Sequence, residues 1–481
     1  MYWLAELLLY TWVPLVLVLF FVLPPRRAVV VALIGSWLFL PQLYLELNRV
    51  PNYSKTTATS YAIIIGALLL DPKSRVLNFR PRWIDLPMGV WMVAPFFASI
   101  SNGLGPYDGA ASVLQVVVRD AMPYLIGRLY FRTPEDAKEL AYGFVIGGLL
   151  YVPLCLYEVR MSPQLHRMVY GFTPLIDWQM AKRWGGWRPT VFMQHGLAVG
   201  LWMATAAGMS FWLWRTRAVR SVFGVPMWAV TAAIAGTVVL CKSTGAIVLL
   251  AGVVTAMLAV KYLNLKLLLQ AIVFGVPVFL LLRVTQVFDG VTLTTWLAAA
   301  VPGLEPRAMS LEFRMVHENA IIGHTAAQQV LGWGGWGRGW NVWVDQYKSF
   351  AVPDSRWIHT YGSAGLLGLA ALYSIYLLPP MVLLHKLRAS EWSSKAVAPV
   401  TGLAMVNVVY ALDNLFNYME NPVFIVATGG VAGMAVSLTR SPAKAAEAAP
   451  AVEPTPAADD ETLDREGPLI LIDPPLGKGG A

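Results

Sequence analysis

Long apolar runs recur from one end of this chain to the other, and they limit the folds it can adopt. About thirteen are present, at residues 2–23, 28–45, 57–70, 85–101, 110–130, 138–157, 195–214, 226–241, 243–260, 266–284, 361–384, 396–412 and 422–438. A helix of about 20 apolar residues spans the hydrocarbon core of a bilayer. Charged residues make up only 13% of the chain, against roughly 25% in a soluble domain. Mean hydropathy is +0.57. The short alternating strands of a membrane barrel are not seen. The expected fold is an all-α integral membrane protein: a polytopic bundle of 12 or 13 transmembrane helices over residues 1–439, with a large periplasmic loop. The third run is short for a crossing, and the eighth and ninth are separated only by Lys242 and its neighbours.

Basic residues test that count, because Lys and Arg accumulate on the cytoplasmic side of a membrane. With Arg26 and Arg27 inside, the inside connections also receive Lys73, Arg75, Arg80, Arg82, Arg128, Arg132, Lys138, Arg215, Arg217, Arg220, Lys261, Lys266, Lys386, Arg388 and Lys395. The short outside connections receive only Arg49, Lys55 and Lys242. This alternation places the N-terminus outside and the C-terminus inside. The net charge of +8 therefore reflects topology rather than nucleic-acid binding. The N-terminal run lacks a basic leader and a small-residue cleavage site and reads as a retained span. Cys155 and Cys241 lie in apolar runs and form neither a disulfide framework nor a metal site. Residues 440–481, rich in Ala, Pro, Glu and Asp, are expected to form a disordered cytoplasmic tail.

Two outside loops are long, at about 158–194 and 285–360, and both are rich in Trp, Gly and Arg. In the second, Phe313, Val316, Ala320, Ile321 and Val330 fall near one face of an amphipathic helix interrupted by Gly323. The run Gly332–Trp340 is too glycine-rich for a helix. Arg188, Arg314, Arg338 and Arg356 are candidate anion ligands, since guanidinium groups bind phosphate oxygens in bidentate fashion and stay charged. The blander reading pairs them with Glu312, Asp345 or Asp354. Asp354 and His359, just ahead of an apolar run, are candidate bases for a sugar hydroxyl; a capping aspartate and an interfacial histidine would look the same. Arg119 and Asp120 form a candidate polar site inside a span, where charges face a cavity or a partner. As sequence neighbours they project about 100° apart and should bind other groups, and Pro123 should kink the helix. His317-Glu318 begins like a zinc-protease motif, but Ile321 stands where the second histidine belongs, so no metal is expected.

Four short motifs carry a resemblance. They are Arg188-Pro189-Thr190 with Gln194-His195-Gly196-Leu197-Ala198, then Lys242-Ser243-Thr244-Gly245-Ala246, then Arg314 with Leu331-Gly332-Trp333-Gly334, and finally Gly365-Leu366-Leu367-Gly368. In order and spacing the chain resembles the O-antigen ligase and O-antigen polymerase family of bacterial envelope enzymes over residues 85–438. It departs from the family in having Thr244 at a frequent arginine position, and Asp354-Ser355 where many members carry His-Asn. The resemblance implies transfer of a glycan from a polyprenyl-diphosphate carrier to a lipid or glycan acceptor on the periplasmic face of the bacterial inner membrane. It implies no metal and no nucleotide cofactor. Arg188, Arg314, Arg356 and Lys242 would bind the diphosphate, and Asp354 or His359 would act as base. Membrane lipids are expected partners, nucleic acid is not, and the acidic tail is a candidate docking segment for a chain-length regulator. A polysaccharide or lipid-linked glycan transporter is the alternative, and a sensor or assembly scaffold the third reading.

Overall fold

The computed structural model describes residues 2–47, 51–174, 181–300 and 305–438. The disordered tail expected from residue 440 lies outside them. The described chain is mostly helical. The first half holds α1 (Trp3–Val22), α2 (Pro25–Phe39), α3 (Lys55–Leu69), α4 (Leu86–Ser101), α5 (Gly105–Val116), α6 (Met122–Tyr130), α7 (Pro134–Met161) and α8 (Leu165–Tyr170). The second holds α9 (Gly196–Arg215), α10 (Met227–Leu240), α11 (Thr244–Tyr262), α12 (Leu267–Val284), α13 (Val291–Ala300), α14 (Glu305–Thr325), α15 (Arg356–Lys386), α16 (Ala389–Trp392), α17 (Ala398–Asp413) and α18 (Pro422–Ser437). Every expected apolar run coincides with a helix. Seven are long and apolar enough to cross a membrane: α1, α4 with its preceding turn, α7, α9, α11, α12 and α15. The helices α3, α10, α17 and α18 are apolar but shorter.

The centre of the bundle is built on small residues. Gly127 of α6 and Gly429 of α18 face each other so closely that a Cβ on either would meet the other helix's backbone. Close backbone approach of this kind is how helices gain packing energy where both surroundings are apolar. Lysines at helix ends satisfy orphan carbonyls. Lys266 donates to the Leu384 and Leu387 carbonyls, and Lys386 to those of Ala435 and Leu438. Such contacts also complement the helix dipole.

Two helices are interrupted, and both breaks bear on the site. The fifth run, expected as one kinked span, continues from α5 into α6 through a π-helical turn at Val117–Ala121. Pro123 has no N–H, and its ring would crowd the carbonyl of residue 119. The wide turn absorbs that conflict and carries Arg119 and Asp120. Helix α15 breaks at Gly365, whose φ of 61° and ψ of −160° suit only glycine. The freed backbone groups bond to the loop ahead of the helix. Trp333 and Gly334 N–H donate to the Gly362 and Ser363 carbonyls, and Leu366 and Leu367 N–H to those of Gln329 and Val330. Irregular backbone in an apolar helix is tolerated where protein re-satisfies it in this way. The Leu331–Gly334 and Gly365–Gly368 motifs are thus two halves of one clasp.

Helix α14 runs unbroken through Gly323, contrary to expectation. Its buried side carries Met315, His317, Glu318, Ile321 and Ile322, whereas Val330 lies beyond the helix and is exposed. Burial of the polar pair has a cause. Glu318 accepts from Arg283 Nη2 at 3.0 Å, Ser355 Oγ at 2.6 Å and Trp357 Nε1 at 3.1 Å. It ties α14 to the end of α12 and the start of α15.

Candidate functional site

The hairpin Lys182–Arg183 with Gly186–Trp187 precedes Arg188, which lies buried beneath it. Arg188 Nη2 donates to the Lys242 carbonyl at 3.3 Å, in the turn between α10 and α11. The Lys242 side chain lies against Gly186 of the hairpin. The first two motifs therefore meet. Arg188 Nε has no partner among the described residues. The charges acting on Arg188 include Arg183, Arg307 and Arg314, and burial together with these cations pushes its pKa down to about 10. Arg183 feels Arg307 and Arg314 as well, and Arg307 sits over the Trp184 ring. Four guanidinium groups from two parts of the chain, the hairpin segment and α14, are gathered together. Arg314 pairs with Asp354 at 3.5 Å and donates to the Phe416 carbonyl at 2.8 Å. Among the described residues no carboxylate lies within ion-pair distance of Arg183, Arg188 or Arg307. A concentration of like charge with unfilled donors is what an anionic ligand offsets.

Arg356 does not belong to that cluster, which corrects its expected role as a diphosphate ligand. It is buried, and its Nη2 lies 2.7 Å from Asp120 Oδ1. Asp120 Oδ2 accepts from Trp91 Nε1 at 3.0 Å and from Arg119 Nε at 3.1 Å. Arg119 reaches on to Glu420 Oε1 at 3.2 Å. Arg119 and Asp120 thus bind each other as well as other groups, contrary to the projection argument for a regular helix. Their charges are consumed within a structural network. Arg338 also stays apart: its carbonyl accepts from His324 Nε2 at 3.1 Å, fixing the glycine-rich turn.

His359 follows one turn after Arg356 and is half-buried. Its ring lies between Trp340, at 4.4 Å between centroids, and Tyr418, at 4.7 Å. Neither ring nitrogen has a hydrogen-bond partner among the described residues. Asp354, the other candidate base, is engaged by Arg314. Tyr418 O–H donates to Glu420 Oε1 at 2.9 Å, so His359 adjoins the edge of the Arg119 network.

Tyr418, Glu420 and Arg119 also line a cavity of about 520 Å³, together with Lys55 and Gln194. Gln194 precedes His195, whose ring lies within electrostatic range of Arg188, Arg183 and Arg314. The cavity and the arginine cluster are therefore neighbours across the 188–195 segment. Arg183, Arg307 and the cavity residues other than Arg119 and the motif residue Gln194 were not singled out from sequence. One signal was available for Arg183: Gly185-Gly186 between Trp184 and Trp187 marks a tight hairpin, which brings Arg183 near Arg188.

His317 packs at a tilt against Phe313 at 4.1 Å and stacks on Tyr347 at 5.1 Å, and its Nδ1 accepts from Val352 N–H at 3.1 Å. Among the described residues no three His, Cys, Asp or Glu side chains gather as metal ligands. Cys155 and Cys241 are both buried and free. Comparison with protein-family models and with curated proteins gives no match.

Proposed function

We propose that this protein transfers a glycan from a polyprenyl-diphosphate carrier to a lipid or glycan acceptor, in the manner of an O-antigen ligase or polymerase. In this reading twelve or thirteen helices cross the bacterial inner membrane, and the 158–194 and 285–360 loops lie on the periplasmic side. The observation that carries the proposal is the cluster of Arg183, Arg188, Arg307 and Arg314, with three members lacking a carboxylate partner among the described residues. A leaving diphosphate develops negative charge as the glycosidic bond breaks. Fixed cations stabilise that charge without reorganising at the moment of reaction.

The bonds follow directly. The acceptor hydroxyl oxygen attacks the anomeric carbon of the donor glycan, and the bond from that carbon to the diphosphate oxygen breaks. His359 takes the hydroxyl proton, and polyprenyl diphosphate departs as the anion. Asp354 positions Arg314 and is not the base, because its carboxylate already faces a guanidinium. An apolar cleft of about 320 Å³ between α12 and α15, lined by Leu280, Leu281, Leu369 and Leu377, suits an isoprenoid chain.

Transport is the second reading, favoured by one observation: α15 and the α5–α6 helix are both interrupted, and transporters commonly use broken helices at mid-membrane sites. Against it, both Asp120 oxygens are already engaged by protein donors. The test is reconstitution. Purified protein in liposomes is given a polyprenyl-diphosphate oligosaccharide and an acceptor glycolipid. Formation of a longer glycan with release of polyprenyl diphosphate supports transfer; movement of the intact lipid-linked sugar between leaflets, without new linkage, supports transport.

A further inference from the structure

The 520 Å³ cavity beside the arginine cluster has chemistry of its own. Its size lies within the ~300–1,000 Å³ common for small-molecule sites. It opens between the end of α2, the start of α3, the π-helical turn and the segment leading into α18. Its walls differ from the arginine cluster in charge. Arg119 and Glu420 neutralise each other at 3.2 Å. Lys55 is held by two backbone carbonyls, those of Trp37 at 3.0 Å and Phe192 at 3.2 Å. Lys55 Nζ also lies 4.5 Å from the centroid of the Trp37 ring, which fixes it at the cavity wall.

The remaining lining is rich in amides. Gln42 Nε2 donates to the Phe192 carbonyl and to Gln194 Oε1, which leaves the Gln42 carbonyl oxygen unclaimed among the described residues. The Asn52 and Gln115 side chains line the same space with no hydrogen-bond partner among the described residues. Trp37, Tyr44 and Tyr418 supply aromatic surface. Amides that both donate and accept, beside aromatic faces, match a ring of hydroxyl groups with apolar C–H faces. They match a diphosphate poorly, because amide carbonyls and Glu420 repel it.

We propose that this cavity binds a sugar ring of the acceptor glycan, held by the amides of Gln42, Asn52, Gln115 and Gln194 and by Lys55. The word acceptor rests on the transfer reading; the binding of a saccharide does not. Gln194 at the cavity edge and His359 against Tyr418 would set a sugar hydroxyl between the cavity and the arginine cluster.

The test is saturation-transfer NMR on the full-length protein in nanodiscs, with methyl glucoside, N-acetylglucosamine and glucuronic acid as probes. The expected result is transfer to at least one of them, reduced at least fivefold by Gln115→Trp and by Thr56→Trp, which fill the cavity from α5 and α3, and retained in Arg188→Ala. Absence of signal from all three sugars overturns the proposal, as does full signal in both cavity-filling variants or its loss in Arg188→Ala. Should either variant fail to fold, a diazirine-bearing glucoside on wild-type protein decides: labelling of residues 37–44, 51–57 or 115–119 supports the site, and labelling confined elsewhere overturns it. Turnover is not needed for either measurement. Sugar binding without glycan transfer would therefore sink the transfer reading and leave the cavity assignment standing.

Discussion

Arg356 Nη2 and Asp120 Oδ1 lie 2.7 Å apart although the residues are 236 positions apart in sequence. Each side chain is 2% exposed. The contact fastens the first turn of α15 to the π-helical turn of the α5–α6 helix. It holds His359, one turn later, at a fixed place. Removing one partner of such a pair leaves a buried charge uncompensated, at a cost of about 3–5 kcal/mol. Asp120→Ala is therefore expected to lower the thermal midpoint sharply in detergent. The double variant Asp120→Asn with Arg356→Gln should recover most of the loss, because no unpaired charge remains.

Gly365 provides a second structural test. A Cβ there would meet the Val330 carbonyl, and the backbone φ is positive. Gly365→Ala is expected to destabilise the protein by about 1–3 kcal/mol through strain. It should also open the clasp with residues 329–334. Limited proteolysis in that loop should accelerate relative to wild type.

The arginine cluster should respond to its ligand. Like charges held together without an anion destabilise the empty site, so Arg188→Met should leave the apo-protein's thermal midpoint unchanged or raised. Inorganic diphosphate at 100 times its dissociation constant stabilises a binding protein by about 2.7 kcal/mol. The expected result is a clear upward shift in wild type, much smaller in Arg188→Met, and screened by salt.

His317 gives a pH dependence with a definite sign. Its ring is buried, burial lowers its pKa, and Nδ1 must accept from Val352 N–H. The unfolded chain takes a proton more readily than the fold does. Stability is then present above the ordinary histidine range and lost as pH falls through about 6.5 and below. His166 and His195, whose pKa values burial also lowers, act with the same sign. Melting curves between pH 7.5 and 5 (about the range in which histidine titrates) should therefore show a decline that is smaller, not absent, in His317→Gln.

Much of the fold was legible because a bilayer imposes a length and a polarity that single residues announce. Every apolar run is helical, and the turn at Lys242 falls where two runs were barely separated. The clasp was half legible: its two glycine motifs stood out, but their mutual contact depends on the positive-φ backbone of Gly332 and Gly365, which sequence does not display. The placement of Arg356 was illegible for another reason. A loop arginine and a buried one look alike until the partner is known, and Asp120 lies in a different helix. Arg183 and Lys55 show the converse. Lys55 was counted only as a charge of a short outside connection and Arg183 was passed over, yet Lys55 lines a cavity and Arg183 completes the cationic cluster.

The central claim is that the arginine cluster and His359 carry out glycan transfer, and lipid-linked glycans report on it directly. Cells lacking the gene would be restored with wild type, Arg188→Ala, Arg314→Ala or His359→Ala, each checked for membrane abundance. Mass spectrometry would then measure polyprenyl-diphosphate glycans on the two faces of the membrane. The account predicts that the deletion and all three variants accumulate the donor on the outer face and lose the surface polymer; each variant should fall by about 10²-fold or more in transfer rate, as for loss of a transition-state ligand. Normal surface polymer in the Arg188 and His359 variants, or donor stranded on the cytoplasmic face, would contradict it.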